Sequence, residues 1–458
     1  MYKSVLIFFV CLFFLNVVYG QSKQDKQLSK SLDELITQRL PNIAPGCVVL
    51  VVKKGDIVYK KAFGTANLEL KVPMLTGMIF RIGSMGKQYT AIAILQLVEQ
   101  GKISLQDSIQ KYIKDFPSKG YTITIENLLT HTSGIKNYQE ISNPSAERTD
   151  YTPKQGVDYF KNEPLEFKPG SQFKYSNSNF YLLGYIIETI TGKTYEEYLQ
   201  QNVLDKAGLK NTYYIHPERI IPDRASGYSS FDGKLEKATL ENVTTMYAAG
   251  ALMANVDDLY KWHQALYSLK LVKQETLDKA FSPYKFADST LSEYGYGWFI
   301  KNIDGSKTIE HAGSTDGFQG DEIYLPAEDV FVAALFNCFE ADMDWTVLSN
   351  DIARLAIGRP LNYEVKLSED ILRQYIGEYV FKIGHKLIVT LENAKLFIED
   401  TNPIDRLPKV RLYAESENKF YMKEAPLKFE FVKDTVNNSL KIITYNSRGK
   451  DAEWIKAK

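Results

Sequence analysis

The chain has 458 residues, a formal net charge of -1 and a hydrophobic content of 44%. The length favours two domains over a single core, and the hydrophobic content is typical of a folded globular protein. A near-zero charge without a long basic run argues against nucleic acid or an anionic membrane surface as a partner.

The first 20 residues have the pattern of a secretory signal peptide. Lys3 provides a positive start, residues 5–15 are apolar, and the small residue Gly20 precedes Gln21. The alternative is an uncleaved membrane anchor, but the apolar run is shorter than the ~20 residues that span a bilayer. We therefore expect cleavage of residues 1–20 and an exported protein, periplasmic or extracellular.

Cleavage would leave two cysteines, Cys47 and Cys338. In an oxidising compartment an even pair of cysteines can form a disulfide. The alternative is two separate buried thiols, and the sequence leaves both possibilities open.

A helix and a β-hairpin precede the first chemical motif. Residues 29–40 are amphipathic and end at Pro41, which predicts a short helix. Residues 47–52 are continuously apolar and predict a buried strand, and the turn at residues 54–56 begins a return strand.

Ser84 is the candidate nucleophile, because it precedes a long apolar helix predicted at residues 91–98 and closed by Gly101. Peptide N–H groups at a helix start have no intrahelical partner and can stabilise an oxyanion. Lys87 follows at i+3 on the same helix face, and burial would lower its proton affinity so that it can accept the serine proton. Ser-x-x-Lys recurs at six other places, so the spacing alone is not specific.

The middle of the chain alternates short helices with polar turns. Residues 104–113 predict a short helix, and residues 122–134 lead into a turn. His131 in that segment is either catalytic or, as we prefer, a structural histidine held by backbone groups. After the tripeptide at residues 175–177, residues 181–187 predict an apolar helix that ends near a glycine.

Strands dominate the next part of the chain. A small-residue stretch at residues 247–253 precedes a helix that starts at Asp257. Glycine and aromatic residues alternate at residues 294–298, which indicates packing either near a cleft or at a strand edge. Three strands are then predicted, at residues 308–311, 322–325 and 330–336.

The sequence changes character after Arg359. Apolar residues alternate with period two at residues 387–391, 427–431 and 440–444, and Asn, Asp, Gly and Ser turns separate these runs. The pattern predicts a small antiparallel β domain at residues 367–458, without a nucleophile or a metal cluster. Its expected role is to pack against or cover the first domain.

Three short patterns occur in one order, namely Ser84-x-x-Lys87, Tyr175-Ser176-Asn177 and His311-Ala312-Gly313. The last two are the only Tyr-x-Asn and the only His-x-Gly in the chain. With these motifs the chain resembles the serine β-lactamase-like superfamily, in the branch of class C β-lactamases, D-alanyl-D-alanine carboxypeptidases and related esterases. The resemblance covers most of residues 29–359.

The resemblance implies an α+β fold, with an antiparallel sheet flanked by helices, a helical region, and the site between them. It implies a hydrolase domain at residues 29–359 and a β tail similar to the small barrel-like domains of many secreted bacterial members. If the first and last strands of the sheet pair antiparallel, as this fold implies, Cys47 and Cys338 lie close together and can be bridged.

The resemblance also implies a role for each motif residue. Ser84 is the acylated nucleophile, Lys87 assists its deprotonation, and Tyr175 is the general base or acid that passes the proton to the leaving group. Asn177 hydrogen-bonds the substrate amide, and His311 and Gly313 belong to a substrate-binding third motif. Backbone N–H groups of Ser84 and Ser314 form the oxyanion hole. Which group is the acylation base stays open.

The third motif departs from the Lys-Thr-Gly of many β-lactamases, because His311 replaces the lysine. An unperturbed histidine, with a pKa near ~6.5, is mostly neutral at neutral pH and offers little charge to a substrate carboxylate. We therefore expect peptides or esters to be preferred over β-lactams. Acidification is expected to protonate His311 and to favour anionic substrates.

The predicted function is that of a secreted serine hydrolase acting through an acyl-enzyme on a D-amino-acid peptide or ester. We expect no metal and no cofactor, and a small-molecule or peptidoglycan-derived peptide as the substrate. The alternatives are a true class C-type β-lactamase and a catalytically silent penicillin- or peptidoglycan-binding protein. The intact set of Ser84, Lys87 and Tyr175 favours an active enzyme over the silent protein.

Overall fold

The computed structural model describes residues 23–40, 45–141, 150–231, 234–239, 242–340, 345–361, 365–382, 385–401, 408–422, 425, 427–434, 439–446 and 449–457. The predicted signal peptide, residues 1–20, lies outside them. Within these ranges no helix combines the length and the apolar character that crossing a membrane requires.

Eleven α-helices of the described residues precede residue 360, and the twelfth comes just before the C-terminal strands. They are α1 (Lys23–Arg39), α2 (Lys87–Glu99), α3 (Ile125–Leu129), α4 (Pro153–Phe160), α5 (Asn177–Thr191), α6 (Tyr195–Leu199), α7 (Asp205–Ala207), α8 (Val243–Met246), α9 (Val256–Tyr267), α10 (Gln274–Ala280), α11 (Trp345–Ala356) and α12 (Glu369–Arg373). Thr124, Thr152 and Thr194 open α3, α4 and α6 with reciprocal capping hydrogen bonds that satisfy the first N–H groups of each helix.

The strands belong to several sheets. They are β1 (Cys47–Lys53), β2 (Asp56–Phe63), β3 (Thr65–Asn67), β4 (Val72–Pro73), β5 (Phe80–Arg81), β6 (Tyr213–Tyr214), β7 (Tyr228–Phe231), β8 (Lys234–Lys237), β9 (Leu252–Ala254), β10 (Phe299–Ile303), β11 (Ser306–Thr315), β12 (Phe318–Leu325), β13 (Val330–Phe336), β14 (Cys338–Glu340), β15 (Gly377–Lys382), β16 (His385–Glu392), β17 (Lys395–Asp400), β18 (Val410–Ala414), β19 (Lys419–Tyr421), β20 (Lys428–Asp434), β21 (Ser439–Asn446) and β22 (Gly449–Lys456).

A six-stranded antiparallel sheet, in the order β10-β11-β12-β13-β1-β2, is the centre of the larger part of the chain. The strands predicted at residues 308–311, 322–325 and 330–336 are confirmed as β11, β12 and β13. The first predicted hairpin is confirmed as β1 and β2, which pair antiparallel.

Both faces of this sheet are covered, which explains why β1 and β13 are almost entirely apolar. Successive side chains of a strand point to opposite faces. Val49 and Val51 of β1 join the core that includes α1 and α11, whereas Val48 and Leu50 join the core that includes α2 and α9. Lys87 of α2 and His311 of β11 are both buried.

The C-terminal part contains a closed eight-stranded barrel that runs from β15 to β22. Apolar side chains fill it, among them Leu387, Val389, Phe429 and Phe431 at the alternating positions that predicted strands. The predicted β structure of the tail is therefore confirmed, and barrel closure removes the exposed sheet edges. The predicted limits of this domain, residues 367 and 458, stay a prediction.

One predicted helix is wrong. Within residues 104–113 the structure has only a single 3-10 turn, Ile109–Lys111. Ser104 N donates to the Asp107 carboxylate at 2.7 Å, and Asp107 N donates to Ser104 O at 3.0 Å. These local bonds give the backbone a turn in place of a helix.

The proposed disulfide is not formed, because Cys47 and Cys338 are buried thiols that no bond joins. Cys47 pairs with Phe336, the last residue of β13. The chain then leaves the six-stranded sheet, and Cys338 begins β14, which pairs with β7 in a separate sheet. Of the two possibilities that the sequence left open, the structure has two separate buried thiols.

Candidate active site

Ser84 lies in a 3-10 turn, Gly83–Gly86, that leads directly into α2. Its side chain is half-buried, so a substrate can approach it. Gly83 has a φ of 50°, and a Cβ at this position would lie 2.9 Å from the backbone nitrogen of Ser314. Glycine therefore allows both the left-handed backbone and the direct packing of the Ser84 turn on β11.

Gly313 meets the same turn from the side of the sheet. A Cβ at Gly313 would lie 2.0 Å from the carbonyl oxygen of Ile82 and 3.0 Å from the backbone nitrogen of Met85. The missing side chain thus sets the distance between β11 and the turn that carries Ser84. This contact explains on steric grounds why the His-x-Gly motif has a glycine at position 313.

Gly313→Ala is expected to destabilise the protein by about 1–3 kcal/mol, because the added methyl overpacks a backbone contact. We also expect acylation to slow by at least about tenfold, since displacing the nucleophile by a fraction of an ångström weakens catalysis. Thermal unfolding and the rate of labelling by a fluorescent penicillin measure the two effects. Gly77→Ala is the matched control, because a Cβ there meets no atom within 4 Å. Wild-type values for both measurements would contradict this role of Gly313.

Lys87 is completely buried in the first turn of α2. Its Nζ lies 2.9 Å from Ser84 Oγ and donates to the carbonyl oxygen of Ala249 at 2.7 Å. Nζ also lies 4.9 Å from the centre of the Tyr175 ring and 5.7 Å from that of Phe180. Burial holds the pKa of Lys87 well below its usual 10.5, because desolvation disfavours the ammonium form.

The carbonyl group that holds Lys87 belongs to a strained turn. Tyr247 is buried and has a φ of 41° although it carries a side chain. The turn after it directs the carbonyl of Ala248 to Thr90 Oγ1 at 2.8 Å and that of Ala249 to Lys87. Such a backbone conformation costs about 1–3 kcal/mol, so the surrounding packing must maintain it.

Tyr175 stands beside the lysine with a buried hydroxyl group. The hydroxyl makes no hydrogen bond of normal geometry to a described residue, although Ser84 is close enough to lower its pKa. Burial is the larger effect and raises the pKa of Tyr175 above its usual 10.0. The group is therefore a neutral phenol at neutral pH.

His131 holds the backbone that follows Tyr175. Its Nδ1 accepts a hydrogen bond from Ser176 N at 3.2 Å and lies 3.2 Å from Asn179 Nδ2. The ring centres of His131 and Tyr175 are 4.2 Å apart. Burial lowers the pKa of His131 well below 6.5, with smaller contributions from Lys87 and His311. These contacts support the structural interpretation of this histidine.

Asn177 is the first residue of α5. Its Nδ2 donates to Gln139 Oε1 at 2.6 Å. Its Oδ1 is buried and accepts no hydrogen bond from the residues that the structure describes. A buried acceptor without a partner costs free energy, so a donor supplied by a ligand would stabilise this position.

His311 lies on β11 with both ring nitrogens in hydrogen bonds. Nδ1 is 2.6 Å from the carbonyl oxygen of Ala312, so Nδ1 carries the proton, and Nε2 accepts from the Tyr294 hydroxyl at 2.9 Å. Burial, with a smaller contribution from Lys87, lowers the pKa of His311 to about 3. The expectation that mild acidification protonates His311 is therefore wrong, because the sequence does not reveal how deeply the ring is buried.

The ratio of kcat/KM for an anionic substrate to that for its neutral amide is expected to stay constant within about twofold from about pH 5.5 to 8.5. His311 keeps one charge state over this range, because its pKa is about 3. Paired initial-rate measurements on the two substrates test this expectation. A ratio that rises on acidification in the wild type, but not in His311→Gln, would contradict it.

The structure places Lys87 in contact with Ser84 and beside the Tyr175 ring, and it sets Gly313 and Ser314 against the turn that carries Ser84. The sequence did not reveal two neighbours of Lys87, the carbonyl of Ala249 and the ring of Phe180. A backbone carbonyl has no side-chain signature. The only available signal was the small-residue stretch at residues 247–253.

Ser84 lies at the start of a buried helix and contacts the buried Lys87, and both lie next to an antiparallel sheet. This arrangement defines a protein of the serine β-lactamase-like class. The chain belongs to the beta-lactamase family, and the model of that family matches residues 32–356.

Individual relatives agree with this assignment. The chain is 26% identical over 409 residues to penicillin-binding protein 4* of Bacillus subtilis, a match that covers 84% of this chain and 89% of that protein. It is 24% identical over 344 residues to a D-aminopeptidase of Gluconobacter oxydans, covering 73% of this chain and 63% of the relative. The octameric penicillin-binding protein homologue from Pyrococcus abyssi has a similar structure, with a TM-score of 0.66, 26% identity, and coverage of 94% of this chain and 99% of that one.

Proposed function

We propose that this protein is an exported serine hydrolase that cleaves the amide or ester bond of a D-amino-acid peptide or ester through an acyl-enzyme at Ser84. One observation carries the proposal: the buried Lys87 amine, with its pKa lowered well below 10.5, lies 2.9 Å from Ser84 Oγ. A neutral amine in this position accepts the hydroxyl proton as the oxygen attacks. The names of two relatives, a penicillin-binding protein and a D-aminopeptidase, support the class of substrate.

Acylation begins when Ser84 Oγ bonds to the substrate carbonyl carbon and its proton passes to the lone pair of Lys87 Nζ. As a neutral amine, Nζ can keep one N–H on the Ala249 carbonyl and turn its lone pair toward Ser84 Oγ, 2.9 Å away. The lowered pKa of Lys87 makes its neutral, basic form more accessible than that of an ordinary lysine. The raised pKa of Tyr175 argues against a phenolate in this role. The lowered pKa of Lys87 and the raised pKa of Tyr175 thus favour Lys87 as the acylation base.

The tetrahedral intermediate carries a negative oxygen that needs hydrogen-bond donors. The backbone N–H groups of Ser84 and Ser314 fit this need, because Gly83 brings the peptide before Ser84 against Ser314. Losing one donor of an oxyanion hole typically costs about 10²–10³ in kcat.

Tyr175 is suited to act as the acid when the intermediate collapses. Its phenol gives a proton to the leaving amine or alcohol as the C–N or C–O bond breaks, and the proton on Lys87 then restores the phenol. In the second half of the reaction a water oxygen bonds to the acyl carbon while one water proton passes to Lys87 Nζ. The bond between the acyl carbon and Ser84 Oγ then breaks, and Oγ takes up that proton. The products are the free acid and the regenerated hydroxyl of Ser84.

Two further side chains fit the substrate part of the proposal. The unpartnered Oδ1 of Asn177 can accept the N–H of a substrate amide. His311 is neutral and both of its nitrogens are engaged, so it offers no cation to a substrate carboxylate. This favours peptides and esters over β-lactams.

A panel of substrates under one set of conditions tests the proposal. The panel contains a D-Ala-D-Ala peptide, a D-amino-acid p-nitroanilide, its L-enantiomer, p-nitrophenyl acetate and nitrocefin. We expect kcat/KM for the D-peptide or the ester to exceed that for nitrocefin. We also expect the D-anilide to be preferred over its enantiomer by at least about tenfold, as a shaped pocket commonly provides.

Each alternative function has its own outcome in this panel. Turnover of nitrocefin far above every peptide and ester would identify a true β-lactamase. Failure of Ser84 to be acylated by a fluorophosphonate or a fluorescent penicillin, together with no turnover, would identify a silent binding protein and overturn the enzymatic proposal.

Export is a separate part of the proposal and depends on residues 1–20. After expression with a bacterial secretion system, N-terminal sequencing of the exported protein is expected to start at Gln21. A chain that keeps residues 1–20 and stays with the membrane would indicate an uncleaved anchor instead.

A further inference from the structure

Tyr247 has a backbone conformation that its side chain disfavours. Its φ is 41° and its ψ is -130°, and the residue is buried. These angles are close to those of the first central residue of a type II′ turn, a position where glycine is usual. A bulky residue in this region is an outlier that persists only if its surroundings hold it in place. The contacts of Tyr247 therefore show what maintains the strain.

The ring of Tyr247 packs closely against helices α5 and α6. A Cβ at Gly184 of α5 would lie 2.6 Å from Cε1 of Tyr247 and 2.4 Å from the Cβ of Ala248. The ring centres of Tyr181 and Tyr195 are 4.8 and 5.2 Å from that of Tyr247. Glycine weakens a helix relative to alanine, and the space that the Tyr247 turn occupies explains why α5 has a glycine here. The two helices thus hold the ring in place.

The turn that follows Tyr247 presents two consecutive carbonyl groups to α2. The carbonyl of Ala248 accepts a hydrogen bond from Thr90 Oγ1 at 2.8 Å. The carbonyl of Ala249 accepts one from Lys87 Nζ at 2.7 Å. Because peptide units are planar, the directions of both carbonyls depend on the φ and ψ of Tyr247. A relaxed conformation at Tyr247 would therefore turn the Ala249 carbonyl away from Lys87.

From these contacts we propose that Tyr247 is a positioning residue for Lys87. Helices α5 and α6 hold the ring, the ring maintains the strained backbone, and that backbone directs the Ala249 carbonyl to Lys87 Nζ. The carbonyl fixes one N–H of the amine, so that the lone pair can point to Ser84. Helix α5, which begins at Asn177 of the second motif, thereby also orients the base of the first motif. The inference rests on the proposed function, because it takes Lys87 as the acylation base.

Two substitutions at residue 247 separate the effect of the backbone from that of the ring. Tyr247→Ala and Tyr247→Gly both remove the ring, but glycine adopts the observed φ and ψ without steric cost and alanine does not. We expect Tyr247→Ala to lower the rate constant of acylation by about tenfold to a hundredfold, the usual effect of a misplaced catalytic group. Tyr247→Gly is expected to be acylated at least about fivefold faster than Tyr247→Ala, because it relieves the strain.

Labelling by a fluorescent penicillin at several concentrations measures the rate constant of acylation separately from the affinity of the first complex. Both values are referred to the folded fraction of each variant. We expect the affinity to stay unchanged, because positioning of the base acts on the chemical step. A purely structural role predicts the opposite order of the two variants, since glycine removes more of the side chain and makes the unfolded chain more flexible.

Tyr379→Ala and Tyr379→Gly are the matched controls. Tyr379 is a completely buried tyrosine of the barrel, and its φ is not positive. Both controls are expected to keep the wild-type rate constant of acylation. Equal rate constants for Tyr247→Ala and Tyr247→Gly, or a slower Tyr247→Gly, would overturn the role of Tyr247 alone. A wild type that neither the penicillin nor a fluorophosphonate labels would overturn the proposed function and this inference together.

Gly184→Ala decides the question if neither Tyr247 variant folds. Alanine favours the helix itself, but the added methyl group must displace the turn at Tyr247 and Ala248. We expect the rate constant of acylation to fall by at least about tenfold at unchanged affinity, because the Ala249 carbonyl moves with the turn. A wild-type rate constant for a folded Gly184→Ala would overturn the proposal.

Discussion

Ser84→Ala is expected to abolish formation of the acyl-enzyme and to lower kcat by about 10⁶, the size of effect seen when a serine hydrolase loses its nucleophile. The Ser84 hydroxyl lies 2.9 Å from Lys87 Nζ and is close to the Tyr175 hydroxyl. The measurement is intact-protein mass spectrometry after reaction with a fluorescent penicillin or a fluorophosphonate, together with turnover of the best substrate.

Ser282→Ala is the matched control for this experiment. Ser282 also begins a Ser-x-x-Lys pattern, but it is exposed, and its hydroxyl donates to the carbonyl oxygen of Asp278 at 2.7 Å. It is expected to keep the adduct and the turnover of the wild type. An adduct of full yield on Ser84→Ala, located by peptide mapping on another serine, would contradict the assignment.

The contact between Ser84 and Lys87 could be predicted from the sequence because it is local. An i,i+3 pair at the start of a helix meets wherever the helix forms, and the apolar residues after Lys87 predict that helix. The strand β13 was predictable for a similar reason, because its apolar run records burial on both faces. The order of the strands in the sheet was not predicted, because pairing joins segments that are distant in the sequence.

The remaining features of the site depend on contacts between distant parts of the chain. The Ala249 carbonyl reaches Lys87 only because Tyr247 adopts a strained backbone, and no residue type encodes that turn. Nor does the sequence give the pKa of His311, which depends on burial by Tyr294 and its neighbours. Cys338 shows the same limit, because the residue lies two positions after the end of β13 and belongs to another sheet.

Lys87→Met is expected to slow acylation by about 10²–10⁴, the usual contribution of a general base. Methionine fills a similar volume without a proton acceptor, and the site is completely buried, so we expect the variant to fold. In the wild type, the acylation rate should fall on the acid side of the lowered pKa of Lys87, and this limb should be missing in the variant. Lys285→Met is the matched control, since Lys285 is the exposed lysine of the Ser282 pattern. A wild-type rate for Lys87→Met would leave Tyr175 as the base.

Lys87 also makes the free energy of unfolding depend on pH, and the free energy is expected to increase as pH rises. The pKa of this amine is lower in the folded protein than in the unfolded chain, where it has its usual value of 10.5. Between the two values the unfolded chain binds the additional proton, so the free energy of unfolding increases as pH rises through this window. Lys87→Met removes this contribution. The stability of the wild type relative to the variant is therefore expected to increase as pH rises towards 10.5, as measured by urea unfolding at several pH values. A constant difference would mean that Lys87 has an ordinary pKa in the folded protein, and it could then not serve as the neutral base.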